Sequence, residues 1–280
     1  MILIADSGST KTDWCVLGHN VQPQYLSTQG INPFQQDALH IKDILYTELL
    51  PLLPCPNSIR EVWFYGAGCR EEMQPLMQQL LTSVLPLANT IAVNTDLLAA
   101  ARALYGHQQG IACILGTGAN SCFYDGEKII ENVSPLGYIL GDEGSGAVLG
   151  RLFINAMFKG GLPDSVKQDF MLHTQLSLAD IINKVYKQPM ANRFLASLSL
   201  YIHEHLDNAD IRKIVTQNFR DFFRNNIRLY HQFQCNIGAI GSMAYYYQEQ
   251  LKEAAYAEGF EVKKIFKSPM EGLIAFHQQE

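Results

Sequence analysis

Apolar and polar positions alternate along the first third of the chain in a way that predicts strands and helices in turn. Short apolar runs between polar turns predict buried strands, and apolar residues at helical spacing predict helices. The predicted strands are residues 1–5, 12–17, 25–28, 61–65 and 90–93, and the predicted helices are residues 36–53, 71–85 and 96–105. A short polar turn joins the first two strands, which indicates a hairpin.

The same plan begins again at residue 110. Residues 110–115 and 121–124 predict a second hairpin with a polar tip, which we interpret as a weak internal repeat. The elements predicted after it, mostly helical at first, are residues 147–157, 164–174, 178–185, 190–208, 210–226, 235–240, 243–257, 261–266 and 270–279. We therefore expect an α/β protein with domains over residues 1–107 and 108–267 and a helical insertion in the second. A C-terminal helix, about residues 268–280, is expected to pack back on the first domain.

Composition and charge narrow the classes of function. The chain has 280 residues, of which 48% are hydrophobic, enough for packed cores in two domains. Its formal net charge of −6 argues against binding to nucleic acid or to an anionic membrane by bulk electrostatic attraction. No apolar run approaches the ~18 residues of a spanning helix, and the first residues lack the pattern of a secretory signal. The six cysteines form no CxxC pair and predict buried thiols in a reducing compartment, so we expect a cytoplasmic protein.

Both hairpin tips consist of small, hydroxyl-bearing and glycine residues. More than half of the 21 glycines lie between positions 106 and 161, where a ligand is most expected to approach the backbone closely. The first tip contains Asp6, Gly8, Ser9, Thr10 and Lys11, and the second contains Gly116, Thr117, Gly118, Ala119 and Asn120. Backbone N–H groups and hydroxyls in such a turn can hold phosphate oxygens, and an Asp at a strand end can hold Mg²⁺ directly or through water. Either tip alone is also an ordinary turn, whereas the pair favours binding of one polyphosphate.

Three other segments allow a functional or a purely structural interpretation. Asp96 follows a buried strand and begins a helix, where its carboxylate is either a helix-capping group or a general base. The glycine-rich stretch 137–150 contains Asp142, whose carboxylate either belongs to a hinge or offsets a helix dipole. Gly238 and Gly241 lie at a strand-to-helix turn that suits the close approach of a flat base or a ribose, or is a plain turn.

In this order, the segments resemble the motifs of the sugar kinase/Hsp70/actin superfamily. Residues 6–12 resemble its first phosphate motif, residues 115–118 the second, and residues 238–241 the adenosine motif. Within the superfamily, the chain is most similar to the BadF/BadG/BcrA/BcrD ATPase family and its N-acetylglucosamine kinase branch. The segments that carry this narrower resemblance are residues 30–33, 65–68, 94–96, 116–120 and 141–145.

The resemblance implies a fold, an activity and a set of residue roles. The fold class is α/β, with two ribonuclease H-like (actin-like ATPase) domains flanking a cleft and a helical insertion in the second. The implied enzyme is an ATP-dependent hexosamine kinase with ATP and Mg²⁺ as cofactors, a small amino sugar as substrate and a homodimer as assembly. Asp96 would be the catalytic base and a sugar contact, and Asp6 would position Mg²⁺, directly or through water. The other implied residues are Gly8, Ser9, Thr10, Lys11, Gly116, Thr117 and Gly118 for the ATP phosphates, Gly238, Gly241 and Ser242 for adenosine, and Asn32, Asn120 and Asp142 for the sugar.

Some residues depart from the family pattern, and other functions stay open. Ser7 stands where the family usually has Gly, and Ala239 where a second Gly is common. The zinc-binding Cys/His cluster of the other large group of bacterial sugar kinases is absent from the sequence. One alternative is an ATPase that activates a dehydratase through an iron–sulfur cluster, for which Cys113 and Cys122 are badly placed in core strands. Another is a non-catalytic sugar sensor, which would not need Asp96. For a kinase, the sequence leaves the substrate open among N-acetylglucosamine, glucosamine and N-acetylmuramic acid.

Overall fold

The chain divides into two compact units, residues 1–107 with 269–280 and residues 108–268, which we call the first and the second unit. The computed structural model of the protein describes residues 1–8, 10–18, 21–231 and 235–278. Each unit contains one five-stranded sheet and helices, so the fold is α/β, as predicted.

Strands β1 to β5 belong to the first unit and β6 to β10 to the second. Within the described residues their bounds are β1 Ile2–Ser7, β2 Lys11–Gly18, β3 Val21–Gln29, β4 Glu61–Gly66, β5 Thr90–Thr95, β6 Gly110–Leu115, β7 Ala119–Tyr124, β8 Ile129–Glu131, β9 Ile237–Ile240 and β10 Val262–Phe266.

The α-helices of the described residues number fourteen. Their bounds are α1 Ala38–Asp43, α2 Leu50–Leu52, α3 Gln74–Val84, α4 Asp96–Tyr105, α5 Gly137–Leu140, α6 Gly146–Phe158, α7 Asp164–Thr174, α8 Leu178–Tyr186, α9 Ala191–Ser197, α10 Ser199–Glu204, α11 Ala209–Asn225, α12 Ser242–Tyr246, α13 Gln248–Ala257 and α14 Met270–His277. A π-helical stretch, Ile44–Leu49, joins α1 to α2, and short 3₁₀ turns cover Pro56–Ser58 and Ile227–Leu229. None of the described helices combines the length and the apolar character needed to cross a membrane.

The first sheet has the strand order β3-β2-β1-β4-β5. Strands β1, β2 and β3 pair antiparallel, whereas β4 pairs parallel to both β1 and β5. Ser7, Gly66 and Thr95 therefore lie in register at the carboxyl ends of three neighbouring parallel strands. Loops that follow such strand ends start side by side, and this edge is where open α/β sheets bind ligands.

The second sheet repeats this plan with the order β10-β9-β6-β7-β8. Strands β6, β7 and β8 pair antiparallel, and β9 pairs parallel to both β6 and β10. The internal repeat predicted from the two hairpins is therefore confirmed. Helices α5 to α11 lie between β8 and β9 in sequence and form the predicted helical insertion.

Helix α14 packs on α4 in the first unit. Gly272 permits this close approach, because a Cβ at that position would lie 2.4 Å from the carbonyl oxygen of Ala103. Leu273 and Phe276 of α14 are buried. Since α4 begins at Asp96, the C-terminal helix supports the helix that positions this carboxylate.

Three predicted helices differ from the observed ones. The segment predicted as one helix over residues 190–208 is two helices, α9 and α10, that meet at Leu198 and end at Glu204. The segment 243–257 is interrupted at Tyr247, whose buried side chain donates a hydrogen bond to the carbonyl oxygen of Ser199. Within residues 36–53, the helix contains a π-helical stretch. In each case the apolar residues keep helical spacing, but the backbone hydrogen bonds depart from those of one continuous α-helix. The spacing of apolar residues does not reveal such a departure.

Candidate functional site

The tip of the first hairpin is a tight polar turn. The backbone N–H of Gly8 donates to the carbonyl oxygen of Lys11 at 3.0 Å. Thr10 and Lys11 are exposed, and the ammonium group of Lys11 lies 2.7 Å from Oδ2 of Asp13. Ser9, which was also predicted to bind phosphate, lies outside the described residues. The turn thus presents the hydroxyl of Thr10 and the ammonium group of Lys11, which is paired with Asp13.

Ser7 connects this hairpin to the loop that contains Asn32. Its buried hydroxyl lies 2.6 Å from Oγ1 of Thr12 and donates to the carbonyl oxygen of Ile31 at 2.8 Å. The backbone N–H of Ile31 in turn donates to both hydroxyls. These bonds give a structural reason for a serine at position 7.

Asn32 is buried and held in one orientation. Its Oδ1 accepts a hydrogen bond from the backbone N–H of Phe34 at 3.1 Å. Gly68, in the loop after β4, has a φ of +76°, and a Cβ there would lie 2.1 Å from Asn32 Oδ1. The side-chain amide nitrogen of Asn32 makes no hydrogen bond to the described part of the chain. This nitrogen is therefore available as a donor to a ligand.

Asp96 and Asp6 interact electrostatically at the carboxyl edge of the first sheet. Asp96 is the first residue of α4, and Thr95 caps the helix by accepting the backbone N–H of Leu98 at 3.2 Å. Burial raises the pKa of Asp96, and the backbone N–H groups of Leu97 and of Asp96 itself act in the opposite direction. Both carboxylates are only partly exposed to solvent. Their protonation states are therefore sensitive to any cation or hydroxyl that binds beside them.

The carboxyl group of Asp6 titrates close to neutral pH. Burial is the largest cause that raises its pKa to about 7, followed by the negative charges of Asp96 and Asp13, while Lys11 acts in the opposite direction. Lys11 is shared with Asp13, so the positive charge near the three carboxylates does not balance them. Carboxylates arranged in this way are suited to holding a divalent cation and to accepting a proton.

The tip of the second hairpin is bonded to the start of α6. The carbonyl oxygens of Gly116 and Thr117 accept the backbone N–H groups of Gly146 at 2.8 Å and Ala147 at 3.2 Å. The backbone N–H groups of Thr117 and Gly118 have no acceptor among the described residues. A turn whose carbonyls are occupied and whose N–H groups are unoccupied is suited to an anion such as phosphate.

Asp142 lies against this second tip. It has a positive φ of 55°, and its Oδ1 accepts the backbone N–H of Gly137 at 3.1 Å. A Cβ at Gly118 would lie 3.0 Å from Asp142 Oδ2. Burial raises the pKa of Asp142, whereas the backbone N–H groups of Gly137 and Ala119 act in the opposite direction. The carboxylate therefore holds the loop in place and is also positioned beside the hairpin.

Asn120 is likewise oriented by hydrogen bonds. Its Oδ1 accepts the backbone N–H of Ser121 and the side-chain amide of Asn132, each at 2.9 Å. Asn120 lies in β7 directly after the second tip, and Asp142 Oδ2 faces Gly118 of that tip, so both of these predicted sugar-binding residues adjoin the second tip.

Asn218 of α11 was not identified from the sequence, although it fixes the glycine-rich loop after α5. Its buried Oδ1 accepts the backbone N–H of Gly144 at 3.0 Å, and its amide donates to the carbonyl oxygen of Ser145 at 3.1 Å. The sequence feature that could have identified it is the position of an Asn on the apolar face of an amphipathic helix. Gly144 itself has a φ of +82°, and a Cβ there would press against Phe222 at 3.0 Å.

The residues of the predicted adenosine segment differ in burial. Gly241 has a φ of +119°, and a Cβ there would lie 2.4 Å from the carbonyl oxygen of Leu115, so the turn before α12 touches the end of β6. Ser242 is exposed as the first residue of α12. Gly238, however, is buried inside β9, between its partners Ala112 and Lys264 on the neighbouring strands. The structure therefore gives no support for a direct contact between Gly238 and a base, and the prediction narrows to Gly241 and Ser242.

Comparison with solved structures shows full-length similarity to sugar kinases. A protein of Porphyromonas gingivalis provisionally named an N-acetylglucosamine kinase is 48% identical, with 100% of this chain and 99% of that chain covered and a TM-score of 0.97. A Chromobacterium violaceum protein with the same provisional name is 15% identical, with 98% of each chain covered and a TM-score of 0.72. A ROK family glucokinase from Streptomyces griseus, solved with glucose and AMPPNP, is 15% identical, with 99% and 98% covered and a TM-score of 0.56. No protein-family model and no curated protein sequence matches the chain.

The two distant structures define the class of fold, which is the two-domain, actin-like fold of sugar kinases. The Porphyromonas gingivalis structure is close enough over its whole length to define the family. The chain belongs to the family of sugar kinases that includes this protein.

Proposed function

We propose that the protein transfers the γ-phosphoryl group of ATP to a hydroxyl of an amino sugar, with N-acetylglucosamine as the first candidate. The observation that carries the proposal is the Asp96 carboxylate at the start of α4: burial raises its pKa, and its negative charge in turn raises the pKa of Asp6. The 48% identity to a provisionally named N-acetylglucosamine kinase supports the choice of sugar. The motifs at residues 30–33, 94–96 and 141–145 support placement in the N-acetylglucosamine kinase branch of the BadF/BadG/BcrA/BcrD family. The same resemblance supports a cytoplasmic homodimer, which light scattering would test.

Asp96 is proposed as the general base. A sugar hydroxyl donates its hydrogen bond to the carboxylate, and as the new O–P bond forms, the hydroxyl proton passes to Asp96 and ADP leaves with the electrons of the old O–P bond. A raised pKa makes the carboxylate a better proton acceptor near neutral pH than an exposed Asp. The cap at Thr95 fixes the first turn of α4 and so holds the carboxylate in place.

We propose that residues at the hairpin tip of each unit contact ATP phosphates. In the first unit, Gly8, Thr10 and Lys11 supply a flexible backbone, a hydroxyl and a cation, with Ser9 proposed beside them. In the second unit, the unoccupied N–H groups of Thr117 and Gly118 supply neutral donors, with Gly116 completing the turn. Such contacts neutralise charge and position the phosphoryl group without covalent chemistry.

Asp6 fits a Mg²⁺ site. Its pKa of about 7 arises from burial and from the uncompensated charges of Asp96 and Asp13, a surplus of negative charge that a divalent cation would offset. When bound, the ion would neutralise negative charge on the ATP phosphates. Asp6 would hold it directly or through water.

The sugar is assigned to Asn32, Asn120 and Asp142. Asn32 offers an unoccupied amide nitrogen, and the oxygen atoms of Asn32 and Asn120 are already held by backbone N–H groups. The Asp142 carboxylate, whose Oδ1 accepts the N–H of Gly137, would also accept a sugar hydroxyl. Each of these side chains offers a donor or an acceptor of the kind that recognises sugar hydroxyl and acetamido groups.

Replacing Asp142 with Asn should separate sugar binding from its support of the loop. Asn tolerates a positive φ and keeps an acceptor for the Gly137 N–H, but it lacks the charge that strengthens a bond to a hydroxyl. We expect the sugar KM to rise about tenfold, the ATP KM to stay within about twofold, and the Tm to change by less than about 2 °C. Steady-state kinetics and a thermal scan give all three values.

Gln175→Ala is the matched control for this variant. Gln175 also has a positive φ, of 54°, is exposed at the end of α7, and is not among the residues assigned to ligands. We expect its substitution to alter stability and neither KM. If Asp142→Asn behaves like this control, Asp142 serves the loop and not the sugar.

The proposed activity is tested by ADP release over a panel of amino sugars. The panel contains N-acetylglucosamine, glucosamine, N-acetylmuramic acid and N-acetylmannosamine, with glucose and no sugar as references. We expect ADP release that depends on an amino sugar, fastest with N-acetylglucosamine. ATP hydrolysis without sugar, together with bound iron and visible absorption, would instead indicate a dehydratase-activating ATPase. Sugar binding without turnover would indicate a sensor.

A further inference from the structure

A cavity of about 380 Å³ lies beside Asp142 in the second unit. Binding sites for small molecules have volumes of about 300–1,000 Å³, so this cavity is large enough to hold part of a sugar derivative. Asp142 lines the cavity, and its Oδ2 also faces Gly118 of the second tip, where a Cβ would lie 3.0 Å from that oxygen. The cavity therefore begins at a side chain that we assign to the sugar.

Part of the lining of this cavity is apolar and exposed. The apolar lining residues are Val133, Leu136, Leu140 and Leu229. The three leucines are 59%, 74% and 58% exposed, in the order given. Single exposed leucines are common, whereas several that line one cavity are typical of a groove that binds a ligand. An apolar group placed in the cavity would remove their surface from water and so gain binding free energy.

The polar lining carries negative charge. The carboxylate of Glu143 accepts hydrogen bonds from the side-chain amides of Asn225 at 2.9 Å and Asn226 at 3.4 Å, which hold it in place. Asp142 is a second carboxylate, and no Lys, Arg or His is found among the described residues that line the cavity. Because like charges repel when they are brought together out of water, this lining disfavours an anionic group and leaves room for a neutral one.

We infer that this cavity binds the acyl group of an N-acylated amino sugar and accepts a neutral acyl chain longer than acetyl. The inference rests on the proposed function and deepens it, because it names the class of substituent that the enzyme accepts. In a 2-amino sugar, the acylated nitrogen and a ring hydroxyl are on neighbouring carbons. A sugar whose hydroxyl donates to Asp142 therefore places its acyl group at the cavity, where the apolar chain meets the leucines.

The test is ADP release by the full chain with glucosamine that carries an acetyl, propanoyl, butanoyl or succinyl group on its nitrogen. We expect the sugar KM to fall about threefold for each methylene added from acetyl to butanoyl, as burial of a methylene predicts. The kcat should stay within about twofold, because the acyl chain is distant from the phosphoryl group. The succinyl compound ends in a carboxylate, and its KM should be about tenfold or more above that of the butanoyl compound.

Two variants connect these effects to the cavity. Leu140→Ala shortens an apolar wall, so the KM ratio between acetyl and butanoyl compounds should fall from about tenfold to less than about threefold. Leu172→Ala is the matched control, because Leu172 is an 81% exposed leucine of α7 outside the cavity lining. Glu143→Gln removes a negative charge and keeps an acceptor oxygen, so it should lower the KM of the succinyl compound about tenfold and leave that of the acetyl compound unchanged.

The outcomes separate this inference from the proposed function. If the wild type phosphorylates N-acetylglucosamine but its KM is constant or rises as the acyl chain lengthens, the inference is overturned and the proposed function stands. The inference is also overturned if Leu140→Ala keeps the wild-type KM ratio, or if Leu172→Ala lowers that ratio equally. ADP release that depends on none of the amino sugars would overturn the proposed function and the inference together.

Discussion

Replacing Asp96 with Asn is expected to lower turnover by about 10²- to 10⁴-fold while sugar and nucleotide binding stay within a few-fold. The two side chains have the same size, and the cap at Thr95 that fixes the first turn of α4 does not depend on the carboxylate. An amide, however, cannot accept the proton of the attacking hydroxyl. The effect should therefore fall on kcat, measured with saturating sugar and ATP.

Asp164→Asn is the matched control for Asp96→Asn. Asp164 is also an acid at the first position of a helix, α7, and it is exposed. If the carboxylate of Asp96 acted solely on the helix dipole, the two substitutions would have similar small effects on stability and none on turnover. An Asp96→Asn variant that keeps more than about a tenth of the wild-type rate would remove Asp96 from the mechanism.

Replacing Asp6 with Asn should stabilise the protein at pH 8 and at the same time reduce its activity. The pKa of Asp6 is raised to about 7 in the folded protein, above the value of about 4 expected in the unfolded chain. Stability linked to this group is complete below about pH 4 and is lost as the pH rises through about 7, since the ionised form is disfavoured in the fold. Asn removes that penalty, so we expect the Tm at pH 8 to rise by about 2–4 °C, equivalent to ~1 kcal/mol. Loss of a group that positions Mg²⁺ should lower activity by about 10- to 100-fold.

Thermal unfolding at pH 5 and pH 8, with and without Mg²⁺, measures this effect. The wild type should lose more stability than Asp6→Asn between these two pH values, and Mg²⁺ should raise the Tm of the wild type at pH 8 more than that of the variant. Asp125→Asn is the control, and its effect on stability at pH 8 should have the opposite sign. The reason is that backbone N–H groups of Lys128 and Glu127 lower the pKa of that exposed carboxyl. A variant at position 6 that is less stable than the wild type at pH 8 would contradict the electrostatic account.

The spacing of apolar residues predicted the strands and helices that position the residues of the candidate site. The helix predicted over residues 96–105 is α4, with the same bounds, because a polar residue follows the buried strand and apolar residues recur at helical spacing. Both hairpins were predicted for a related reason, since each has a short polar tip between two apolar runs. Residues next to those tips, such as Asp6 and Gly118, could be selected because their place in the fold follows from local sequence.

The contacts between distant segments could not be predicted. Asn218 bonds to Gly144, 74 residues earlier in the chain, and a single sequence contains no signal for that pairing. Gly238 was assigned to a turn because it lies near one, but strand register places it in the buried interior of β9. The pKa of Asp6 likewise depends on Asp96, which is brought close through the parallel pairing of β1, β4 and β5. Which distant strands pair, and so which residues come into contact, is a property of the folded chain that the local spacing of apolar residues does not specify.

The most direct test of the proposed kinase activity is transfer of the label from γ-³²P-ATP to N-acetylglucosamine, followed by separation of the products. We expect one labelled sugar phosphate for each ADP formed with the wild type, little free phosphate without sugar, and about 10²-fold or greater loss of labelled sugar with Asp96→Asn. Label that appears as free phosphate at the same rate with and without each amino sugar, and never on the sugar, would contradict it.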